Sequence, residues 1–205
     1  MDVTIVDCGI GNIKSVQRMV HAAGASAEII NRPEKLSEAR RLVLPGVGAF
    51  DAGMEALSDG WIETLRELAL AKKIPVLGIC LGMQLLCRRS EEGRRPGLGW
   101  FEADVVKIDT GSDGRIKLPH MGWSVVTPTQ PNPLIPDDEG EQRFYHVHTY
   151  RPLCDCSEEI LATAHYGRQF TTAVRKGNLF GVQFHPEKSH RFGLGLFRRF
   201  LSFPC

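Results

Sequence analysis

The chain predicts an α/β fold: a mostly parallel sheet flanked by helices on both faces, with antiparallel strands in the second half. Three observations carry this. Short apolar runs alternate with amphipathic stretches through the first half of the sequence, the pattern of strand–helix–strand units. Two of those runs end in glycine-rich turns, at Pro45-Gly46-Val47-Gly48 and at Gly78-Ile79-Cys80-Leu81-Gly82. Further on, strand-like segments are separated only by short turns such as Lys176-Gly177-Asn178, which calls for antiparallel pairing. With 205 residues, 42% of them hydrophobic, the chain suits one domain spanning residues 1–205.

The elements follow in order. Val3 to Asp7 reads as a strand, Asn12 to Ala23 as a helix ended by Gly24, Ala27 to Asn31 as a second strand and Leu42 to Leu44 as a third. Trp61 to Lys73 is an amphipathic helix with Ile62, Leu65, Leu68 and Ala69 on one face. Strands joined through helices pair in parallel, with the sheet covered on both sides. In the second half, strands are expected near 101 to 108, 122 to 126, 143 to 149, 159 to 165, 169 to 175 and 179 to 184. Thr127 to Gly140, with four prolines, is a loop, and His190 to Phe203 is a closing helix. There is no internal repeat.

Composition narrows the function classes. A net charge of +1 provides no basic face for nucleic acid. No apolar run approaches the roughly 20 residues of a membrane span. The start, with Asp2 and Asp7 around Val3-Thr4-Ile5-Val6, lacks the basic region and length of a signal peptide, so a cytoplasmic location is expected. The six cysteines are scattered, and Cys154 and Cys156 stand too close together for usual metal-ligand spacing. Free thiols are the better reading, with zinc through Cys154, Cys156 and His148 or His165 as the alternative. Neither cofactor nor metal is expected.

The stretch Gly78-Ile79-Cys80-Leu81-Gly82-Met83 carries the chemistry. It follows the apolar Ile74-Pro75-Val76-Leu77 and opens onto helix-like Gln84-Leu85-Leu86. A residue at such a junction, with a glycine two positions away on each side, has the geometry of a nucleophile elbow. The N-terminus of the following helix favours a thiolate there. The alternative for Cys80 is a small buried hydrophobe. A base is available in Gln183-Phe184-His185-Pro186-Glu187-Lys188: if the chain stays extended, His185 and Glu187 point the same way, so Glu187 orients the imidazole. Successive N–H groups of the Gly46-Val47-Gly48 turn, with that of Leu81, are placed to stabilise an oxyanion. Read alone, that turn is equally a plain strand-to-helix connection.

Together these residues resemble the class I, triad-type glutamine amidotransferases, and among them the glutaminase subunit of imidazole glycerol phosphate synthase. Besides the elbow, the Pro45-Gly46-Val47-Gly48 turn and Gln183-Phe184-His185-Pro186-Glu187-Lys188-Ser189, the resemblance rests on three further segments. These are Ile5 to Val16, with its Asp-x-Gly-x-Gly-Asn, Pro119-His120-Met121-Gly122-Trp123, and Val147-His148-Thr149-Tyr150. It therefore covers essentially the whole chain. The resemblance implies that Cys80, His185 and Glu187 hydrolyse L-glutamine to glutamate and ammonia. It implies that Gln84 and Glu92 contact the substrate's α-amino and carboxylate end, with backbone around His148 and Thr149 helping. It also implies a heterodimer with a (β/α)8 cyclase, which uses the ammonia to make imidazole glycerol phosphate and aminoimidazole carboxamide ribotide in histidine biosynthesis. Asn12, Trp123, Tyr145 and Lys188 are implied at that interface; by residue type alone, Trp123 also fits a core, Tyr145 a strand and Lys188 a solvated surface. The chain departs from the usual pattern at Ser124, where Asn is commoner, and at His146, where an apolar aromatic is. A related glutaminase serving another synthase, such as one amidating a surface sugar, or a free-standing cysteine hydrolase, fits the same triad. A non-catalytic binding module does not need it.

Overall fold

In a computed structural model, which describes residues 2–111 and 116–204, the first half is built by β1 (Val3–Val6), α1 (Ile13–Ala22), β2 (Ala27–Ile30), β3 (Leu42–Gly46), α2 (Phe50–Ala56), α3 (Trp61–Arg66), β4 (Val76–Cys80) and α4 (Leu81–Leu85). The second half adds β5 (Arg89–Ser90), β6 (Ala103–Lys107), β7 (His120–Pro128), β8 (Gln142–His148), β9 (Tyr150–Cys154), β10 (Ile160–Tyr166), β11 (Arg168–Lys176), β12 (Leu179–Val182) and α5 (His190–Ser202). Nine strands form one sheet in the order β2-β1-β3-β4-β12-β11-β10-β7-β8. Its β2-β1-β3-β4-β12 half is parallel and the rest antiparallel, as the change of pattern predicts. A second sheet, β5-β6-β9, has three strands.

Alternation along the strands divides the interior in two. Ile5, Val43, Leu77, Ile79 and Phe180 face one way and pack with Val16 and Val20 of α1 and Leu196, Phe197 and Phe200 of α5. Leu42, Leu44 and Val76 face the other way and meet Phe50 and Met54 of α2, Trp61 and Leu65 of α3 and Met83 and Leu85 of α4. Each such side chain, fully buried, is worth about 1.5–3 kcal/mol. Helices on both faces are therefore the only way to cover strands apolar on both sides.

Several boundaries move from their expected places, each for a local reason. β3 continues past Leu44, with Pro45 opposite Ile79 and Gly46 opposite Cys80. Its pairing with β1 covers only Leu42 and Val43, so the N–H that Pro45 lacks breaks no bond on that side. The helix expected over Trp61 to Lys73 is α-helical only to Arg66 and widens into a π-turn over Glu67–Ala71. The strand expected to 184 stops at Val182. α2, β5 and β9 are additional: β9 contains Pro152, which reads as a breaker, and is accommodated because β9 is an edge strand. The 127 to 140 loop starts after Pro128 and contains a 3₁₀ turn over Asp137–Glu139. No helix of the described residues is long and apolar enough to cross a membrane.

Candidate active site

Cys80 ends β4 and immediately precedes α4, with φ 53° and ψ −112°. For a residue with a Cβ this is strained backbone, costing on the order of 1–3 kcal/mol. Close packing enforces it: a Cβ on Gly46 would stand 2.5 Å from Gly82 N, one on Gly78 2.7 Å from Met83 Cα, and one on Gly82 would overlap Leu44 O. The three glycines let α4 lie directly on β3 and β4, and the chain has to turn sharply at Cys80 to put it there. Because α4 has only five residues, the dipole argument made from sequence is weak here.

His185 and Glu187 meet, though not as neighbours in extended chain. Residues Pro186–Lys188 form a 3₁₀ turn, and that turn brings the Glu187 carboxylate under the ring, where Oε1 accepts from His185 Nδ1 at 2.8 Å. Both side chains are 2% exposed. The backbone is pinned as well, with His185 N–H donating to Tyr145 O at 2.8 Å and Ser189 Oγ donating to His185 O at 2.6 Å. With Nδ1 committed as donor, Nε2 is left buried without a hydrogen-bond partner, the group available for proton transfer. Burial alone lowers the imidazole's pKa, but the Cys80 sulfur and the Glu187 carboxylate outweigh it and raise it to about 9. A ring with that value carries its proton at neutral pH, beside the Cys80 sulfur.

Cys80 and His185 open on one cavity of about 280 Å³. Val47, Gly48, Leu81, Gln84, Glu92, His148 and Thr149 line it as well, so it gathers most of the catalytic, oxyanion and substrate residues expected from the sequence. Gly46 is not among the lining residues and lies under α4 instead. Leu81, the first residue of α4, has no carbonyl of its own helix to donate to. The Val47 N–H is already spent, donating to Ile10 O at 2.5 Å. Gln84 Nε2 donates to Tyr150 O at 3.2 Å and to Gln183 Oε1 at 3.0 Å, which leaves its own Oε1 as an acceptor toward the cavity. Glu92 Oε2 accepts the Phe50 N–H at 2.9 Å and so ties the cavity rim to the start of α2.

Behind the cavity lies a group of residues that sequence reasoning placed only in part. His148 Nδ1 donates to Tyr150 O at 2.8 Å, leaving Nε2 to accept from His120 Nδ1 at 3.1 Å; His120 Nε2 then accepts from Ser124 Oγ at 3.0 Å. His146, fully buried, bonds Phe144 O through Nδ1 and Thr172 Oγ1 through Nε2 and stacks on His120. Burial lowers His120 to about 4 and His148 to about 3, and holds His146 well below its ordinary value, so all three are neutral. The two departures, Ser124 and His146, both belong to this group. Both ring nitrogens of His148 are taken, which speaks against the zinc alternative through His148, and no metal-holding group, with His148 or with His165, occurs among the described residues. Gln183 is the residue sequence reasoning missed; its place just before His185 in the motif was the available signal.

Of the four residues expected at an interface, Asn12, Trp123 and Lys188 are exposed and Tyr145 is half-buried. Trp123 is 46% exposed on β7, beside Met121 at 62%. It stacks on His190 and meets Tyr145 edge-on, and Lys188 Nζ lies 5.9 Å from the Tyr145 ring centre. Asn12 is exposed just ahead of α1, which packs against the 186–188 turn. The core reading for Trp123 is therefore wrong.

Comparison with known proteins agrees with this geometry. The chain is 45% identical over 201 residues to imidazole glycerol phosphate synthase subunit HisH 2 of Pseudomonas aeruginosa, covering 98% of each chain. It is 46% identical over 201 residues to HisH 2 of Methanococcus maripaludis, again 98% of each. To HisH of Leptospira interrogans it is 40% identical over 200 residues, 97% of this chain and 98% of that one. The fold matches the crystal structure of a glutamine amidotransferase with TM-score 0.73, at 19% identity, over 99% of this chain and 100% of the other. It matches PurLQS from Thermotoga maritima with TM-score 0.76, at 17% identity, over 97% and 96%. Residues 4–202 match the family glutamine amidotransferase class-I, and with a strained cysteine elbow opposite a carboxylate-held imidazole, the chain belongs to that family.

Proposed function

We propose that the chain is a glutaminase subunit that hydrolyses L-glutamine and hands the ammonia to a synthase subunit making imidazole glycerol phosphate and aminoimidazole carboxamide ribotide in histidine biosynthesis. The observation that carries the chemistry is the shared cavity of Cys80 and His185, with His185 held by Glu187 at 2.8 Å. The choice of partner rests on the relatives named HisH, 40–46% identical over nearly the whole chain.

The steps follow from the groups present. Cys80 sulfur attacks the side-chain amide carbon of glutamine, and the oxygen becomes an oxyanion facing the backbone N–H of Leu81, joined by a donor of the Gly46 to Gly48 turn once the Val47 N–H leaves Ile10 O. The intermediate collapses as the His185 imidazolium gives its proton to the leaving nitrogen, releasing ammonia and leaving a glutamyl thioester. Neutral His185 then takes a proton from water, which attacks the thioester and releases glutamate. Gln84 Oε1 and the Glu92 carboxylate are acceptors, so they suit the substrate's α-ammonium better than its carboxylate. That assignment follows from Gln84 spending both amide protons on the protein.

A partner is required because ammonia released into neutral water is mostly protonated and no longer nucleophilic. The Trp123, Tyr145 and Lys188 cluster, with Asn12, supplies the docking face, and a (β/α)8 cyclase is the partner proposed. Such an enzyme works in the cytoplasm.

The test is substitution of the nucleophile. Cys80→Ala should lose glutamine hydrolysis by about 10³-fold or more, while ammonia-dependent synthesis by the complex survives. The analogue 6-diazo-5-oxonorleucine should label Cys80 alone. Burial helps that selectivity by pushing the thiols of Cys8 to about 11 and Cys154 to about 12, and that of Cys87 higher still. Full activity in Cys80→Ala would sink the reading.

A further inference from the structure

The Cys80 sulfur carries a donor that the triad does not explain. Gln183 follows β12, is wholly buried, and donates its backbone N–H to Thr172 O at 2.8 Å. Its side-chain Nε2 lies 3.6 Å from Cys80 Sγ, and its Oε1 accepts from Gln84 Nε2 at 3.0 Å. The two ends of an amide have nearly the same shape, so the network has to decide which one meets the sulfur. It does so from a fixed point. Tyr150 O is a backbone carbonyl and can only accept; it lies 3.2 Å from the Gln84 amide nitrogen and also takes the His148 Nδ1–H. Gln84 must therefore turn its NH₂ toward Tyr150 and Gln183. The end of Gln183 facing that NH₂ must be its oxygen, and the end facing Cys80 is its nitrogen.

We propose that Gln183 is a positioning residue for the nucleophile, with Gln84 as its clamp, holding an N–H toward the Cys80 sulfur, where negative charge develops as the thiol gives up its proton. A hydrogen bond to the charged form of an acid favours ionisation, and a donor fixed by burial needs no reorganisation when the charge appears. The five-residue α4 gives little help of this kind, so the side-chain amide stands in for the missing helix dipole. Gln84 then has two duties on opposite ends of one group: its NH₂ orients Gln183, and its oxygen faces the substrate.

This inference rests on Cys80 being the nucleophile, and the test separates the two. The rate of iodoacetamide alkylation at Cys80 is followed against pH in the full chain, by mass spectrometry of the Cys80 peptide, in wild type, Gln183→Met and Gln183→Glu. Methionine keeps the length and removes the donor; glutamate keeps the shape and removes the N–H, and repels the sulfur once its own buried carboxyl has ionised. In Gln183→Met the curve should move to higher pH by about one unit, with about 10-fold slower alkylation at neutral pH, and in Gln183→Glu further. Lost packing alone would admit water beside the thiol and move the curve the opposite way, to lower pH. If Gln183→Met does not fold, the isosteric Gln183→Glu decides. Curves superimposable on wild type overturn the role of Gln183, even where alkylation of Cys80 still stops glutamine turnover. Turnover that persists after Cys80 is fully alkylated would instead remove the nucleophile reading itself.

Discussion

His185 and Glu187 are two residues apart, yet their contributions to catalysis should differ in size and in pH signature. In the proposed reaction the imidazole exchanges a proton in both halves, whereas the carboxylate only orients it and stabilises its charge. His185→Asn should therefore fall about as far as loss of Cys80, and Glu187→Gln about 10- to 100-fold less, in steady-state glutamine hydrolysis. The pH dependence follows from the raised His185 value of about 9. A raised value means that the proton is held below about pH 9 and lost above it, so glutamine hydrolysis should decline on the alkaline side near that pH. Glu187→Gln removes one of the groups that stabilise the imidazolium, and the alkaline limb should move to lower pH. An unmoved limb would mean that Glu187 does not govern the ring's charge. The pairing itself was legible from His-Pro-Glu; the means was not, because a 3₁₀ turn and not an extended strand presents the two side chains.

At the scale of elements, the sequence read best where one period dominated. The parallel strands are apolar runs and the helices beside them are amphipathic, so their order was plain. β9 was hidden by Pro152, which an edge strand tolerates, and the π-turn after α3 leaves no mark in residue type. The β7–β8 hairpin was visible, but not what it encloses. Its partners in register include His120 with His148 and Gly122 with His146, which places three histidines behind the cavity. Burial depresses all three. A depressed histidine stabilises the fold above its unfolded value near 6.5, and that contribution is lost as pH falls through the folded values of about 4 and about 3. Thermal unfolding between pH 7 and pH 4 should show stability falling steeply below pH 6.5. His146→Phe, which removes one of these groups, should flatten the fall. Equal slopes in the two chains would mean that His146 is not part of the acid response.

Across the whole molecule, the arrangement of cavity and docking face bears on when the enzyme works. The α/β architecture was legible, and so were Cys80, His185 and the 46–48 turn, because each sits at a strand end or a glycine turn; Gln84, inside α4, and Glu92 came only from the family resemblance. The state of the glycine turn was not, since a peptide's orientation depends on contacts distant in sequence. Here the Val47 N–H donates to Ile10 O, so one of the expected oxyanion donors points into the 7–12 loop and is unavailable to the reaction. That loop leads to exposed Asn12, which belongs to the proposed docking face, and Gly48 with φ +104° lets the turn change conformation at low cost. Reorienting the Val47 peptide breaks one backbone hydrogen bond, a net loss of about 1 kcal/mol, while an oxyanion donor gained is worth about 3–4 kcal/mol in the transition state. The isolated chain should therefore hydrolyse glutamine slowly and be accelerated about 10²-fold by its synthase, a gain that needs only roughly 3 kcal/mol of bias toward the reoriented state. Lys188→Ala, at the docking face and outside the cavity, should weaken that acceleration while leaving Cys80 as reactive toward iodoacetamide as before. Glutamine turnover measured alone, with the partner, and with the partner plus its acceptor substrate decides the matter: fast hydrolysis by the isolated chain, indifferent to any partner, would return the free-standing hydrolase to favour.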